Sequence, residues 1–322
     1  MPSPHSETAP IRFSVVIPVY GNEATIEPLI VQLASLALRL DGHMEAVFVV
    51  DGSPDHSYEI LKQQLHTAPF RSQLVAHSRN FGSFPAIRTG LGVARGDFIG
   101  VMAADLQESP ELMVQFFDSL ADDKADVVIG RREARADPAM SSLGSRLFWW
   151  LYRSTINPQI PPGGVDVFGC TRDVAARLLD MCESHSSLVG LLFWVGYRRV
   201  EVPYRRLPRP TGSSGWTFRK RVGYLMDSVF SFTAIPITML TVLGSLGVLV
   251  TTIVGIVVFI SWATGRIMNP GYTPIMLVIL LSTFLILGGL GIVGAYVYRA
   301  FENTKNRPIA IAMSVDQFDG EV

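Results

Sequence analysis

The stretch FSVVIPVYGNEAT, residues 13–25, sets an apolar run rich in β-branched side chains against a Tyr-Gly-Asn turn and the start of a helical pattern that reaches about Leu40. Runs of this length and composition suit a buried strand. The alternation continues outward from it: EAVFVV at 45–50, a helix after Asp55, LVAH at 74–77, a helix from about Ser83, FIGVMA at 98–103, a helix beginning at Pro110, and ADVVIG at 125–130. Strands and helices taken in turn predict an α/β domain, a mostly parallel sheet with helices on both faces. Ligands of such sheets bind beyond the carboxyl ends of the strands. The polar residues that follow each apolar run are therefore the ones to inspect.

The turn after the first strand has no G-x-G-x-x-G, and the patterns G-x-x-x-x-G-K-[ST], H-E-x-x-H and G-x-S-x-G occur nowhere in the chain. Dinucleotide-binding, P-loop, metalloprotease and serine-hydrolase readings lose their support. Bulk charge points to no polyanionic partner, since 27 basic side chains face 28 acidic ones, and nucleic acid is not expected. Two cysteines, Cys170 and Cys182, make neither a disulfide framework nor a zinc site and fit a reducing compartment. Residues 1–10, MPSPHSETAP, read as a disordered leader without the apolar core of a signal peptide.

Hydrophobic content is 48% and unevenly spread: no charged side chain lies between Asp227 and Arg266 or between Arg266 and Arg299. A bilayer-spanning helix needs about 20 mostly apolar residues, so residues 238–262 and 274–298 read as two transmembrane helices. Arg219, Lys220 and Arg221 precede the first, Arg299, Lys305 and Arg307 follow the second, and the connection between them carries only Arg266. The positive-inside rule then puts both termini in the cytoplasm. The expected organisation is a cytoplasmic domain at 11–215, an amphipathic interfacial helix at 216–233, a transmembrane hairpin at 234–300 and a cytoplasmic tail at 301–322. In the interfacial helix, Trp216, Tyr224, Phe230 and Phe232 are expected to insert while Arg219, Lys220 and Arg221 meet headgroups.

Asp51 ends the second strand and is followed by a Gly-Ser-Pro turn. Its carboxylate suits a nucleotide base or ribose, although a turn or helix cap is the stronger reading of the residue alone. Asp105 and Gln107 follow FIGVMA, and alternate residues of an extended segment point the same way, so their oxygens are expected to converge on a divalent cation. Mg²⁺ takes only one or two protein carboxylates and completes its shell with waters and substrate phosphates, so a lone Asp105 suffices where Ala103 brings none. Ser109, just before Pro110, reads as the cap of the next helix. Arginine-rich stretches, GRRE at 130–133 and YRRLPRPTGSSGW at 204–216, suit phosphate oxygens. A basic collar drawn to anionic headgroups is the other reading of the second stretch, and the two can coexist.

With these residues on the page, the chain resembles the membrane-tethered, inverting family-2 glycosyltransferases of GT-A fold that move a sugar from a nucleotide donor to a polyprenyl phosphate, such as dolichol-phosphate mannose synthases and bactoprenol glucosyltransferases. The matching stretches are SVVIPVYGNEATI, VVDGSPD, SRNFGSFPAIRTGL, AADLQESPEL, GSRLFWWLYR, GVDVF, YRRLPRPTGSSGW and RAFENTKNRPI, in the family's order over most of the chain. The resemblance implies base and ribose contacts at Pro18, Tyr20, Glu23 and Asp51, and Mg²⁺ or Mn²⁺ held by Asp105 and Gln107. It places donor or lipid phosphates near Arg132, Ser145, Arg206, Arg209 and Ser214, and puts Asp166 where a carboxylate is proposed as catalytic base. The implied partners are a nucleotide-sugar with UDP preferred, an undecaprenyl-phosphate-like acceptor and the bilayer of the inner membrane, with a homo-oligomer left open.

Several positions depart from the family's pattern. Ala103 stands where a first D-x-D carboxylate is common, Val50 where Asp or Asn is frequent, and Gly215 where lysine is common; Ser83 and Phe84 differ after N-F-G, and Val165-Asp166-Val167-Phe168 replaces G-D-F-R. The rival readings are a catalytically silent membrane scaffold, against which the retained Asp105, Gln107, Asp166 and arginines argue, and a polysaccharide synthase, against which two spans argue.

Overall fold

Strand β1, Phe13–Val19, lies inside an eight-stranded sheet of order β7-β5-β6-β4-β1-β2-β3-β8. The structure, a computed structural model, describes residues 10–133, 154, 157–161, 164–183, 186–207, 218–264 and 272–320. The expected α/β alternation is present. β1 is followed by α1 (Ile26–Arg39), β2 (Met44–Val50), α2 (Ser57–Gln64), β3 (Arg71–His77), α3 (Ser83–Val93), β4 (Phe98–Val101), α4 (Pro110–Ala121) and β5 (Val127–Arg132). Then come β6 (Phe168–Thr171), α5 (Arg172–Asp180), α6 (Leu188–Trp194) and β7 (Arg199–Tyr204). The three remaining helices are α7 (Phe218–Phe232), α8 (Ile235–Ala263) and α9 (Tyr272–Thr304), and β8 (Ala312–Phe318) closes the described chain. The described residues fall into two compact units, one drawn from Met1–Glu183, Ser187–Arg221 and Pro308–Val322, the other from Ser184–Ser186 and Val222–Arg307.

In the first unit, β4, β1, β2 and β3 run parallel, and β5 runs parallel to β7. β6 is antiparallel to β4 and β5, and β8 is antiparallel to β3. The winding therefore reverses between β1 and β4, the kind of switch point at which open α/β sheets bind ligands. Side-chain alternation along β1 feeds both faces. Phe13, Val15, Ile17 and Val19 join α1 and α4 in the main core, while Val16 meets α3, where a Cβ on Gly90 would lie 2.2 Å from Val16 Cγ1. Ser109 stands at the N-cap position of α4 with Pro110 in its first turn, but its side chain makes no capping hydrogen bond.

Residues 312–318, assigned to a tail from the sequence, form β8 and cover the open edge of β3. Tyr58 Oη donates to Asp316 at 3.2 Å, and Phe318 is buried in the core. The tail's short apolar-polar run gave no turn or loop signal that separates an edge strand from loose chain, and its pairing partner lies some 240 residues earlier in sequence.

The second unit holds α7 from Val222 onward, α8 and α9. Ile235–Val254 and Leu281–Thr304 are long and apolar enough to cross a bilayer, with mean hydropathy 2.1 and 1.8. Phe230, expected in lipid, packs on Tyr296 with ring centroids 5.3 Å apart, and Arg299 lies over it while donating to Asp227 at 2.8 Å. Trp216 and the leader through Ala9 lie outside the described residues, as do the side chains of Arg219, Lys220, Arg221 and Tyr224.

Because Gly90 and Val16 touch, Gly90→Ala is expected to destabilise the protein by about 1–3 kcal/mol through overpacking. Gly90→Ala combined with Val16→Ala should cost less than the two single changes together, as read from thermal melts of the purified variants.

Candidate active site

The register of the strands explains why residues scattered from 105 to 206 meet. β4 and β5 end on the rim where β6, running the other way, begins, so Asp166 comes down beside the carboxyl ends of both. Arg132 and Tyr204 are direct cross-strand partners at the ends of β5 and β7, and Arg206 follows two residues on.

On the β1–β2–β3 side, the turns are stitched to each other. Gly21 N donates to Ser53 Oγ at 2.8 Å, Glu23 N to Asp55 Oδ2 at 3.0 Å, and His56 N to Glu23 Oε2 at 3.1 Å. Partial burial pushes the Asp55 carboxyl up, but hydrogen bonds from Ser53, Ser57 and the Glu23 N–H outweigh it and hold the group below its ordinary value. Tyr20 is exposed and Pro18 half-buried, both open to a ligand. Asp51 is buried: its oxygens accept from Phe81 N at 2.8 Å, Gly82 N at 2.7 Å and the His77 ring at 2.8 Å. In the described geometry Asp51 anchors the 80–82 turn. Gly52, with φ +57°, permits this approach, since a Cβ there would sit 2.4 Å from the Arg79 carbonyl carbon.

The β4–α4 loop is not the extended segment expected from the sequence. β4 stops at Val101, Ala104–Asp105 form a turn, and Leu106 adopts φ +60°, a left-handed conformation that costs a non-glycine residue about 1 kcal/mol or more. Surrounding bonds impose it: Thr25 Oγ1 donates to Ala104 O at 2.7 Å and Gln32 Nε2 to Glu108 O at 2.6 Å. The segment after β7 docks on the same loop, with Leu207 N donating to Gln107 O at 3.0 Å and Gln107 Nε2 to Leu207 O at 2.9 Å. That bond commits the Gln107 amide nitrogen and leaves its oxygen as the atom a cation would meet.

Charge then gathers on this rim. Arg132 is ion-paired with Asp166, and Arg206 reaches both Asp105 and Asp166 at 3.7 Å. Burial, with the neighbouring Arg206 charge, draws the Arg132 guanidinium below its ordinary value. Asp105, Arg132, Asp166, Arg206 and Gln107, all named from the sequence, are thus brought together. Ser145, Arg209 and Ser214 lie outside the described residues. An oxygen-donor set of Asp105 carboxylate and Gln107 amide fits a hard cation such as Mg²⁺ or Mn²⁺. Among the described residues no group of three or more His, Cys, Asp or Glu could hold a metal ion.

Two members were not anticipated. Glu108 is fully buried, and burial followed by the Asp105 charge pushes its carboxyl up to about 7. Tyr204 is raised by burial and then by Glu108. Glu108 Oε1 and Oε2, Arg132 Nε, Tyr204 Oη and Arg206 Nε are buried without a hydrogen bond of normal geometry among the described residues. Position gave a usable signal for Glu108, an acid directly after Gln107; Tyr204 is legible only once β7 pairs with β5.

A family model described as Glycosyl transferase family 2 matches residues 14–174. A glycosyltransferase of Synechocystis sp. is 30% identical over 93% of this chain and 94% of its own length. A prophage bactoprenol glucosyl transferase homolog of Escherichia coli is 27% identical over 92% of this chain and 97% of its own. An undecaprenyl-phosphate 4-deoxy-4-formamido-L-arabinose transferase of Edwardsiella ictaluri is 27% identical over 94% of each.

The folded protein holds the Glu108 proton between the ordinary value of 4.5 and about 7, whereas the unfolded chain releases it. Ionisation of this group therefore subtracts stability as pH rises through that window, and the loss is complete above it. Glu108→Gln is expected to melt near wild type at about pH 4.5 and to be more stable at about pH 8.5, by on the order of 3 kcal/mol. Thermal melts of metal-free protein at the two pH values check this; no gain at the higher pH would mean that the carboxylate is already satisfied.

Proposed function

This chain belongs to glycosyltransferase family 2, and from that premise we propose that it transfers a hexose from a UDP-sugar to a polyprenyl phosphate, with inversion, at the cytoplasmic face of the inner membrane, giving a lipid-linked sugar for cell-envelope glycans. The observation that carries the reading is the convergence of Asp105, Asp166, Arg132 and Arg206 on one rim, in a chain that continues into two helices of membrane-spanning length. The names of the Escherichia coli and Edwardsiella relatives, which include a bactoprenol and an undecaprenyl phosphate, support the acceptor class. Both termini are read as cytoplasmic from the basic flanks of the helices.

In this reading an oxygen of the acceptor phosphate attacks the anomeric carbon from the face opposite the diphosphate, the bond to the diphosphate oxygen breaks, and the nucleoside diphosphate departs with that electron pair. The acceptor needs no strong base, because a phosphate monoester has a second pKa of about 6 and is largely ionised at neutral pH. Asp166, pressed between Arg132 and Arg206, orients those guanidinium groups, which meet the phosphate charges of donor and acceptor. Gln107 fixes the Arg206 segment through Leu207. When bound at Asp105 and the Gln107 oxygen, Mg²⁺ or Mn²⁺ supplies neutralisation of the leaving diphosphate. Tyr20, Pro18 and Glu23 line the β1–β2 side, where base and ribose are expected; Asp51 supports that side by holding the 80–82 turn.

A panel of nucleotide-sugars incubated with purified protein and polyprenyl phosphate tests the reading: lipid-linked product should form with a UDP-hexose and vanish on chelation. Asp105→Ala should lower turnover by about 10²–10³-fold, and full transfer by this variant with metal chelated would overturn the proposed centre. Asp166→Asn should slow turnover while the pH–rate profile keeps both limbs; a lost limb would assign it general-base work instead.

A further inference from the structure

Among the described residues of the first unit, Glu45, Asp51 and Glu108 are the acids most shut away from solvent, and the chain treats them differently. Glu45 accepts from Ser14 Oγ, Gln73 Nε2, Arg95 N and Arg95 Nε at 2.6–3.0 Å. Asp51 accepts from two backbone N–H groups and the His77 ring. Glu108 is as buried as Glu45, and neither of its oxygens closes a hydrogen bond of normal geometry among the described residues. A buried carboxylate is tolerated when it is paired, hydrogen-bonded or bound to a metal.

Glu108 also has a telling position. The backbone of Ala103 is the main-chain group that meets its carboxylate, and the Asp105 charge acts on it directly. Ala103 itself carries no side-chain oxygen. Glu108 thus brings a buried carboxylate to the backbone of Ala103, in a loop whose side chain at 103 supplies no oxygen. The loop that carries both residues is held at either end, by Thr25 on Ala104 and by Gln32 on Glu108, so this approach is built into the fold.

We propose that Glu108 is a carboxylate ligand of the divalent cation, acting with Asp105 in place of the oxygen donor that Ala103 does not provide. The proposal rests on the reading of Asp105 as a cation ligand. It adds that the site has two carboxylates, Asp105 and Glu108, with a left-handed Leu106 and Gln107 between them.

Binding of Mn²⁺ to purified full-length protein, with and without UDP, measured by the free-ion electron paramagnetic resonance signal, tests this apart from activity. Glu108→Gln and Asp105→Asn should each weaken Mn²⁺ binding at least about tenfold, and Glu108→Asp, which keeps the charge on a shorter arm, should fall between Glu108→Gln and wild type. Ala103→Asp introduced into Glu108→Gln should restore binding, since it returns a carboxylate to the same place; a packing or loop-closing role for Glu108 would not be rescued this way. Unchanged binding by Glu108→Gln, or failure of Ala103→Asp to rescue it, overturns the assignment of Glu108 while leaving Asp105 in place. Unchanged binding by Asp105→Asn overturns the cation centre as well.

Discussion

Asp105, Glu108 and Asp166 face Arg132 and Arg206 across one rim of the sheet. With all five ionised, one negative charge is in excess, at a place where several of the atoms involved are shut away from water. Interactions between charges strengthen as water is excluded, and so does the penalty for leaving any of them uncompensated. A divalent cation that arrives with a diphosphate adds little net charge, which lets the pair enter where a free cation or a free diphosphate would each unbalance the site. In this light, Arg206 at 3.7 Å from two carboxylates is a loose counter-ion, near enough to hold the acids together and far enough to turn toward a phosphate.

Such a balance holds only if the groups cannot drift apart, and the hydrogen bonds around the β4–α4 loop prevent that. Thr25, at the start of α1, and Gln32, within α1, each donate to a carbonyl of the loop. Gln107 exchanges two bonds with Leu207, so the arginine-bearing segment after β7 is registered on the acid-bearing segment after β4. The strain at Leu106 persists because the loop is held on both sides of it, at Ala104 and at Gln107–Glu108. Positioning here comes from uncharged donors bonded to main-chain carbonyls, which leaves charged side chains for chemistry.

The α/β architecture was legible because buried parallel strands leave a plain signal: FSVVIPV, EAVFVV and LVAH are apolar runs without competing periodicity, and Pro110 marks a helix start. Asp105, Asp166, Arg132 and Arg206 were legible as chemistry, but their meeting depends on β6 running antiparallel, which no local pattern encodes. The expectation that Asp105 and Gln107 align through an extended backbone gave way to a turn, since hydrogen bonds from distant Thr25 and Gln32 override local preference. Glu108 escaped notice because an acid beside polar neighbours reads as solvated until burial is known. β8 escaped because edge strands are short, half-exposed and defined by their partner.

Glu45 and Glu108 together show where the fold spends stability on function. Both are glutamates with no exposed surface in the same domain. Around Glu45 the sequence supplies Ser14, Gln73 and Arg95, and the acid becomes a structural joint between β1, β2 and the turn before β4. Around Glu108 the described residues supply no side-chain donor of normal geometry, only the backbone of Ala103, and a glutamine there would remove the charge altogether. Marginally stable proteins shed penalties of this kind unless activity retains them. A buried acid with so few donors beside Asp105 is therefore better explained by a role in charge balance at the rim than by the packing it disturbs.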